Sequence, residues 1–457
     1  MNRRTVSRWG RPPRERLAPP ALAIALLLGL AAAATGSASG PGEPGEPGRV
    51  PSGSAPPLQL VETVPVETQL GNPELPAARD VWLEMIQGAR RTIDLEQFYV
   101  STWPGEPLEP VLAEIGRAAG RGVRVRILID AGMHETYPQP ADSLGKVPGI
   151  EVRLLDMKKL AGGIQHAKLI MVDGEQVFEG SQNFDWRSLE HIHELGVRVR
   201  DRRVAAAFGR VFEMDWARGS APGPETAAAS AATVAPPVPA RPALSPEGLI
   251  PIVEAPGDTA LVWTSFSPGS LLPDSTAWDL DALARLLDGA RHEVVAQFLS
   301  YGTGPPARRD TTLDGALRRA AARGVRVKLI VSDWEAGGHG MPDFLSLMQV
   351  PNLQAKLSRV PEWSKGYIPF ARVEHCKYLV VDSLWTWVGT SNWEPSYFHA
   401  TRNAALTLRN RRLALQARRI FEASWDAKSA LLLQAGGTYE PRVHAETPPP
   451  GESAYGR

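Results

Sequence analysis

The chain has a single cysteine, Cys376, among its 457 residues, so no disulfide can form within it. The same scarcity excludes a metal site built from several cysteine ligands. A net charge is also missing, because 50 lysines and arginines balance 50 aspartates and glutamates. No overall positive field therefore attracts nucleic acid or an anionic membrane, and any affinity for phosphate must come from a local cluster of cations.

Long apolar runs are scarce as well, and the one that stands out lies near the N-terminus. Several arginines between Arg3 and Arg16 precede an apolar run over residues 21–34, and small residues follow it. This order predicts a secretory signal peptide over residues 1–40, which indicates secretion or a periplasmic or cell-envelope location. The run is shorter than the about 20 residues that span a bilayer, but a retained signal anchor stays open.

Stretches rich in glycine, proline and alanine divide the rest of the chain. Residues 41–59 predict a Gly/Pro-rich spacer, residues 218–248 an Ala/Pro-rich linker, and residues 437–457 a flexible tail. Two ordered regions of similar size lie between them, residues 60–217 and residues 249–436. Two domains or lobes are also what a chain of this length is expected to form.

The two ordered regions repeat each other. Residues 121–125 read RGVRV, as do residues 323–327, and RVFE at residues 210–213 returns as RIFE at residues 419–422. The spacing of about 200 residues is far longer than that of a solenoid repeat and indicates duplication of a whole domain. Two copies packed face to face would be related by a pseudo-two-fold axis.

Helical and strand patterns alternate within each copy. In the first copy, helices are predicted over residues 80–91 and 108–120 and strands over residues 92–100 and 123–129. In the second copy, helices are predicted over residues 278–291 and 312–323 and strands over residues 293–300 and 325–331. The pattern predicts an α/β fold with two tandem lobes, each a mixed, mostly parallel sheet flanked by helices.

Each copy carries one histidine, one lysine and one aspartate in the string H-x-K-x4-D, followed by the string G-[ST]-x-N. These residues are His166, Lys168, Asp173, Ser181 and Asn183 in the first copy and His375, Lys377, Asp382, Thr390 and Asn392 in the second. On a strand, the histidine and the lysine would project from one face. The aspartate begins a predicted hairpin, whose return strand would lie beside them. A lone H-x-K is commonly an exposed strand face, but two complete strings are hard to obtain by chance.

This set of side chains suits the cleavage of a phosphodiester. A neutral imidazole can attack phosphorus and form a covalent intermediate, and a second, protonated imidazole can donate its proton to the leaving alkoxide. Two ammonium groups and two amides can stabilise the charge that gathers on the non-bridging oxygens. One histidine from each copy would supply both roles without a metal or another cofactor. The two aspartates fit a turn-forming or salt-bridging role as well as a catalytic one.

The duplicated motif resembles that of the phospholipase D superfamily, over most of residues 60–426. The flanks, LDMKKL at residues 155–160 and DWRSL at residues 185–189, are similar to those of the mammalian lysosomal phospholipase D-like 5′-exonucleases. This resemblance implies two phospholipase D-like lobes, a phosphohistidine intermediate and no metal. It also implies single-stranded nucleic acid, cut from its 5′ end, as the substrate, with phospholipid as the alternative.

Glu194 matches the carboxylate that orients a catalytic imidazole in this superfamily. Asn403 stands at the equivalent position of the second copy and cannot carry charge. The two imidazoles are therefore expected to differ in basicity. By analogy, we assign His166 as the nucleophile and His375 as the general acid, and a swap of the two roles stays open.

Other residues near the motifs are candidates for binding the substrate. Tyr397 and Phe398 follow the second motif in a loop-like stretch and could stack on it, and Ser181 and Thr390 are predicted to contact it. His191 and His193 alternate in a manner that would suit zinc, but no third ligand accompanies them, so a strand or turn position is the better interpretation.

Three functions stay open at this point. They are hydrolysis of single-stranded nucleic acid, hydrolysis or transphosphatidylation of phospholipids, and phosphate binding without catalysis. The flanking resemblance favours the first, and the intact histidine and lysine of both copies speak against the third. No protein partner is indicated, and a homodimer stays open.

Overall fold

The structure is a computed structural model that describes residues 56–222, 244–450 and 453–455. These residues belong to one compact unit, Ser54–Arg457. The predicted signal peptide and most of the predicted spacer and linker lie outside the described residues, so those predictions stay as they are. In the described part of the chain, no helix is long and apolar enough to cross a membrane.

The first lobe contains nine strands and six α-helices within the described residues. The strands are β1 (Leu58–Thr63), β2 (Thr92–Gln97), β3 (Val100–Ser101), β4 (Arg124–Asp130), β5 (Ile150–Leu155), β6 (Leu169–Val172), β7 (Gln176–Gly180), β8 (Phe184–Asp185) and β9 (Glu194–Val199). The helices are α1 (Ala78–Gln87), α2 (Glu109–Gly120), α3 (Ala131–His134), α4 (Gln139–Leu144), α5 (Met157–Ala161) and α6 (Arg202–Arg218).

The second lobe contains nine strands and five α-helices in the part that the structure describes. The strands are β10 (Ile250–Ala255), β11 (Asp258–Ser267), β12 (Glu293–Phe298), β13 (Arg326–Ser332), β14 (Leu353–Ser358), β15 (Tyr378–Val381), β16 (Trp385–Gly389), β17 (Asn403–Arg409) and β18 (Leu431–Leu432). The helices are α7 (Asp279–Gly289), α8 (Thr312–Ala322), α9 (Met341–Leu347), α10 (Pro395–His399) and α11 (Arg411–Asp426).

The two lobes have the same sheet topology, which confirms the predicted tandem repeat. The first sheet has the order β1-β9-β7-β6-β2-β4-β5, and the core of the second has the order β11-β17-β16-β15-β12-β13-β14. Strands β10 and β18 extend the edges of the second sheet. Each helix and strand predicted from the sequence is present in the structure, with ends that differ by a few residues.

The sheets are mixed, as predicted, but the prediction that they are mostly parallel is wrong. Parallel pairing in these two sheets is confined to β2-β4-β5 and β12-β13-β14, where helices connect successive strands. The other described pairs of these two sheets are antiparallel, and they include a tight hairpin, β6-β7, as well as pairs of strands that are distant in the chain, such as β1-β9 and β2-β6. A parallel crossover needs a connection of a dozen or more residues, so the short turn between β6 and β7 permits antiparallel pairing alone.

Apolar side chains pack in three large clusters that follow the lobes. Helices α1 and α2 bury their apolar stripes on the first sheet, and α7 and α8 do so on the second. The third cluster joins the lobes, because it combines residues of α6 and α11 with strands of both sheets. Side-chain caps begin both of these long helices: Asp201 accepts from the Val204 N–H group, and Asn410 accepts from the Leu413 N–H group. Strands β6 and β15, which directly follow the two histidine–lysine pairs, contribute side chains to this third cluster together with α6 and α11.

The two predicted hairpins are present, and each turn begins with the aspartate of the H-x-K-x4-D string. Asp173 and Gly174 both have positive φ angles, as do Asp382 and Ser383. Three residues connect the paired strand ends in each hairpin, and two of them are left-handed, a backbone that aspartate tolerates better than most residues do. The sequence motif therefore encodes a strand, a tight turn and a return strand in each lobe.

The described part of the predicted flexible tail contacts the second lobe. The Tyr367 hydroxyl donates to the Ala445 carbonyl at 2.8 Å, and the Arg442 guanidinium donates to the carbonyls of Val360 and Arg372. Near the end of the chain, the Tyr455 ring lies 4.7 Å from the Trp363 ring. These contacts hold the described tail residues against the loop that leads to the second motif.

Candidate active site

The two H-x-K strings meet at the interface between the lobes. The His166 N–H group donates to the Arg402 carbonyl at 2.8 Å, and the His375 N–H group donates to the His193 carbonyl at 3.0 Å. Each contact joins one lobe to the other, and the two contacts are equivalent under the repeat. The prediction placed these histidines and lysines on strands, whereas they lie on the segments just before β6 and β15. The duplicated motif therefore forms one site.

Each imidazole has a hydrogen-bond partner in the opposite lobe. His375 Nδ1 lies 2.7 Å from Glu194 Oε2, and His166 Nδ1 lies 3.0 Å from Asn403 Oδ1. Both histidines are at least nine-tenths buried. The expected difference in environment is thus present, since one imidazole is bonded to a carboxylate and the other to a neutral amide.

The orientation of the Asn403 amide determines which nitrogen of His166 carries a proton. Asn403 Nδ2 donates to the Tyr397 carbonyl at 2.8 Å, so its Oδ1 atom faces His166. An oxygen can only accept, and Nδ1 of His166 must therefore be the donor. In the neutral ring, the proton lies on Nδ1 and Nε2 keeps a free lone pair.

Two buried ammonium groups dominate the electrostatics of the site. Lys168 Nζ donates to the His166 carbonyl, and Lys377 Nζ donates to the His375 carbonyl, both at 2.7 Å. Burial lowers the pKa of Lys168 well below its usual value, and repulsion by Lys377 adds to this. Burial likewise lowers the pKa of Lys377 to about 8, although Glu194 opposes the change. An anion between the two ammonium groups would reduce their repulsion and stabilise their charged forms.

Burial and the two lysines also lower the pKa of both imidazoles well below the usual value. Glu194 is fully buried, and burial raises its pKa to about 8 in spite of the attraction of Lys377. Glu194 and His375 share a hydrogen bond and titrate as a pair. Below about pH 8, this pair retains a proton, whereas the His166 ring, which is bonded to the neutral Asn403 amide, favours its neutral form.

Asn183 and Asn392 have side-chain Oδ1 atoms that are buried without a hydrogen-bond partner among the described residues. Buried polar groups are usually paired, and an amide oxygen only accepts, so these two atoms are available to a hydrogen-bond donor of a ligand. The ring of Phe98 lies 5.0 Å from the His166 ring, and that of Tyr397 lies 5.2 Å from it. In both contacts the rings meet edge to face, and both aromatic side chains are half-buried. They form an aromatic wall, Phe98 and Tyr397, on the His166 side of the site.

The second lobe has no such wall at the described positions that are equivalent. Phe298 corresponds to Phe98, but it is fully buried and stacks on Trp393 at 4.8 Å. The sequence signal for Phe98 was the Gln-Phe pair that ends the strand in both copies, and its role was missed because the pair is not part of the H-x-K string. Phe398, predicted to contact the substrate, is 1% exposed and packs in the core. It lies on α10, where neighbouring residues point in different directions.

Ser181 and Thr390, which were predicted to contact the substrate, are both fully buried. Ser181 Oγ accepts from the Leu195 N–H group at 2.9 Å, and Thr390 Oγ1 accepts from the Ala404 N–H group at 3.1 Å. The Thr390 hydroxyl also donates to Asn403 Oδ1 at 2.9 Å. These hydrogen bonds connect Ser181 to β9, which begins with Glu194, and Thr390 to β17, which begins with Asn403.

Asp173 and Asp382 lie at the hairpin turns, away from the two imidazoles. Asp173 accepts from the N–H groups of Arg90, Arg91 and Thr92 at 2.7–2.9 Å. Asp382 accepts from the N–H groups of Arg291, His292 and Glu293 at 2.8–2.9 Å. Four extended residues lie between Lys168 and Asp173, so about 16 Å separates the two positions along the strand. The geometry supports the turn-forming interpretation of both aspartates and gives no support to a catalytic one.

Among the described residues, one group of His, Cys and acidic side chains is close enough to suggest a metal site: His193, Glu374 and Cys376, all buried. However, His193 Nδ1 lies 2.7 Å from Glu374 Oε2, and its Nε2 lies 3.0 Å from Glu62 Oε1. Burial opposes a charge on this ring, but Glu374 and Glu62 outweigh it and raise its pKa to about 10. A protonated ring has no lone pair for a metal, so the group fits an ion pair between the lobes.

Comparisons with known proteins cover both lobes. A family model described as "Cardiolipin synthase, PLD-like domain" matches residues 82–216 and 283–425. The chain is 32% identical over 401 residues to the 5'-3' exonuclease PLD3 of Bos taurus, which covers 80% of this chain and 79% of that protein. It is 28% identical over 400 residues to Phospholipase D Z of Dictyostelium discoideum, which covers 81% of this chain and 89% of that protein.

The fold is similar to that of two solved structures. Phosphatidylserine synthase of Haemophilus influenzae Rd KW20 covers 79% of this chain and 86% of its own, with a TM-score of 0.54 and 14% identity. Polyphosphate kinase of Porphyromonas gingivalis covers 85% of this chain and 53% of its own, with a TM-score of 0.51 and 14% identity. At such low identity, these likenesses concern the fold alone. The family model, however, matches once in each lobe and includes both histidine–lysine strings, so this chain belongs to the phospholipase D superfamily and is a phosphodiesterase.

Proposed function

We propose that this phosphodiesterase hydrolyses single-stranded nucleic acid from its 5′ end through a phosphohistidine intermediate on His166. In this proposal, His375 donates a proton to the leaving alkoxide. The observation that carries the assignment of roles is the pairing of His166 with a neutral amide and of His375 with a carboxylate.

His166 suits the nucleophile because Asn403 accepts the proton of its Nδ1 atom and leaves the Nε2 lone pair free. Burial and the two lysines favour the neutral ring, and Asn403 has no charge that would stabilise an imidazolium. Nε2 attacks phosphorus, a nitrogen–phosphorus bond forms, and the bond to the leaving oxygen breaks. The nucleophile is therefore ready at neutral pH without prior removal of a proton.

His375 suits the general acid because Glu194 stabilises a positive charge on its ring. The pair retains its extra proton below about pH 8, so Nε2 of His375 can protonate the departing alkoxide. In the second half of the reaction, the same nitrogen takes a proton from water as the water oxygen attacks the phosphohistidine. His166 is then released, and the His375–Glu194 pair regains its proton.

The remaining groups suit the phosphoryl oxygens. Lys168 and Lys377 bring two positive charges, and the Glu194–His375 pair with its extra proton is neutral overall, so an excess positive charge faces an anionic phosphodiester. In the transition state, more charge gathers on the non-bridging oxygens, and preorganised donors in a buried site stabilise it strongly. The amides of Asn183 and Asn392 would add hydrogen bonds to the same oxygens.

Two observations favour single-stranded nucleic acid. The aromatic wall offers rings of Phe98 and Tyr397 next to His166, and a base that is not paired can stack on such rings. A relative that matches four-fifths of this chain is named a 5'-3' exonuclease. A second relative is named a phospholipase D, which favours a phospholipid as the second candidate substrate.

The test uses the pure protein with oligonucleotides that carry either a 5′-hydroxyl or a 5′-phosphate, in the presence of EDTA. We expect stepwise digestion from the 5′ end, and His166→Asn should abolish it. His375→Asn should accumulate phosphate on His166 when a nitrophenyl phosphodiester is supplied, because this leaving group needs no acid, whereas return of the phosphoryl group to water still needs a base. Labelled phosphate on His375, or turnover in His166→Asn, would contradict the roles proposed here.

The second candidate is tested with phosphatidylcholine and ethanol. Formation of phosphatidylethanol without digestion of any oligonucleotide would decide for the phospholipid and against nucleic acid. Loss of activity in EDTA would contradict a mechanism in which two histidines supply both roles.

A further inference from the structure

The two histidines of the site are preceded by different residues. Glu374 precedes His375, whereas Gln165 stands at the equivalent position before His166. Both side chains are fully buried at the lobe interface. A second difference in charge therefore separates the two imidazoles, in addition to that between Glu194 and Asn403.

The carboxylate of Glu374 is held across the backbone of His375. Its Oε1 atom accepts from the Cys376 N–H group at 3.1 Å, and its Oε2 atom lies 2.7 Å from His193 Nδ1. The carbonyl of His193 accepts from the His375 N–H group, so the same residue holds both the backbone of His375 and the carboxylate beside it. Burial opposes ionisation of Glu374, but the His193 imidazolium outweighs it and lowers the pKa of this carboxyl group.

Five charged side chains influence the proton on the His375 ring. Lys377 and Lys168 disfavour a proton on it, whereas Glu374 and Asp185 favour one, and Glu194 is bonded to it directly. The charge of Asp185 is balanced, because Arg187 forms a salt bridge with it at 2.6 Å. Glu374 is itself bonded to His193, whose other nitrogen bonds to Glu62, so two carboxylates share one imidazolium. Negative charge is therefore in excess around His193, and Glu374 is the member of this group next to His375.

The first lobe has no matching charge beside His166. The Gln165 side chain donates to the Ala167 carbonyl, and its backbone N–H group donates to Asp130 Oδ2. The nearby Asp215 carboxylate is paired with Arg402 at 2.6 Å. The carboxyl group of Glu96 also lies close to Gln165, but burial and the repulsion of Asp215 raise its pKa well above the usual value, which favours its neutral form. An amide thus precedes His166 where a carboxylate precedes His375.

We propose that Glu374 is a positioning residue that, held by His193, keeps the proton on His375 and so separates the acid from the nucleophile together with Glu194. This inference rests on the proposed function, since it concerns the general acid of that reaction. The difference in charge between the two halves of the site then includes the residues that precede the histidines, Glu374 and Gln165, as well as Glu194 and Asn403.

The test compares Glu374→Gln with Glu62→Gln. Each variant removes one of the two carboxylates bound to His193 and keeps the size of the side chain, but only Glu374 spans the backbone of His375. The pH dependence of kcat is measured on an oligonucleotide, whose alkoxide must be protonated, and on a nitrophenyl phosphodiester, whose leaving group need not be. Glu374→Asp serves as the rescue variant, because it retains the charge.

With the oligonucleotide, we expect Glu374→Gln to move the alkaline limb of kcat to lower pH by about one unit, a tenfold change in the acid dissociation constant. Glu62→Gln and Glu374→Asp should leave that limb in place, and the nitrophenyl substrate should show no such limb in any variant. An unmoved limb in Glu374→Gln, or an equal shift in Glu62→Gln, overturns the inference. A wild-type protein that cleaves neither substrate overturns the proposed function as well.

A second measurement serves if Glu374→Gln does not fold. In Glu194→Gln, both imidazoles are bonded to amides, and 15N NMR of labelled histidines gives their titration separately. His375 should then still titrate above His166, because Glu374 acts on it alone. Equal titration of the two rings would overturn the inference.

Discussion

Replacement of Glu194 by glutamine tests the division of labour between the two histidines most directly. Glutamine has the shape of glutamate, and its Oε1 atom can still accept from His375 Nδ1, while its amide can face the Ser188 hydroxyl that now donates to Glu194 at 2.9 Å. The variant therefore removes a charge and retains the hydrogen bonds. His375 would then be bonded to an amide, as His166 is, and would lose the carboxylate that stabilises its proton, although Glu374 would still favour that proton.

The expected change follows from the titration of the Glu194–His375 pair. In the wild type, the pair retains its extra proton below about pH 8. Without the carboxylate, burial and the lysines should release that proton below the usual histidine value of 6.5, so the alkaline limb of kcat moves to lower pH by more than about one unit. At pH 7, kcat on an oligonucleotide should fall by about 100-fold, which corresponds to about 2.7 kcal/mol of transition-state stabilisation.

Three comparisons separate this effect from misfolding. A nitrophenyl phosphodiester should lose less than about fivefold, because its leaving group departs without a proton. Ser188→Ala should move the limb to higher pH, because it removes a hydrogen bond that stabilises the carboxylate form of Glu194. Glu194→Gln should also raise Tm at alkaline pH. Because the pKa of Glu194 is raised in the folded protein, its carboxyl group lowers the free energy of unfolding as pH rises from 4.5 to about 8. A glutamine at this position does not titrate and has no such effect.

Equal losses on the oligonucleotide and on the nitrophenyl substrate would refute the assignment of His375 as the acid. So would an alkaline limb that stays in place while the acid limb moves. In that case, the carboxylate would serve the nucleophile, and the roles of the two histidines would be exchanged.

Three further predictions concern the scaffold, the aromatic wall and the ion pair between the lobes. Asp173→Ala should lower the stability of the protein by about 1–3 kcal/mol in urea unfolding, because three backbone N–H groups lose their acceptor, and kcat of the folded fraction should stay within about twofold. A large loss of kcat would instead restore the catalytic interpretation of this aspartate. Phe98→Ala should raise KM for a single-stranded oligonucleotide by about 5–100-fold, as the loss of one stacked base would, and should leave KM for a nitrophenyl phosphodiester unchanged. Equal effects on both substrates would contradict a stacking role. The raised pKa of His193 contributes stability that is fully present below about pH 6.5 and is lost as pH rises through about 10, so Tm of the wild type should fall over this range more steeply than Tm of His193→Gln. Parallel Tm profiles would show that the ring is not charged.

Local signals in the sequence predicted much of the fold because they act over a few residues. The string that begins at His166 and continues through the Asp-Gly turn encodes a strand, a hairpin and its return strand, and the structure contains all three. The helical and strand patterns before it alternate in the same manner in both copies. The prediction of mostly parallel sheets was wrong, because it considered strands that follow each other in the chain, whereas antiparallel pairs such as β1-β9 and β2-β6 join strands that are far apart in it.

The site was harder to predict wherever burial decides what a side chain contacts. Ser181 and Thr390 lie next to the catalytic strings in sequence, yet both are fully buried and hold strands together. Phe398 was chosen for its type and position, but α10 directs it into the core while its neighbour Tyr397 reaches His166. Phe98 was missed because it reaches the site from another strand end, without a motif of its own.

The sequence by itself determined that there are two lobes, that each supplies one histidine and one lysine, and that only one of the two candidate partners can carry a negative charge. Only the tertiary structure decided which imidazole receives that charge. Glu194 belongs to the lobe of His166 but bonds to His375, 181 residues away, and Asn403 bonds to His166, 237 residues away. Spacing along the chain contains no information about such contacts, because they form when the packing of two separate cores brings distant segments together across the lobe interface.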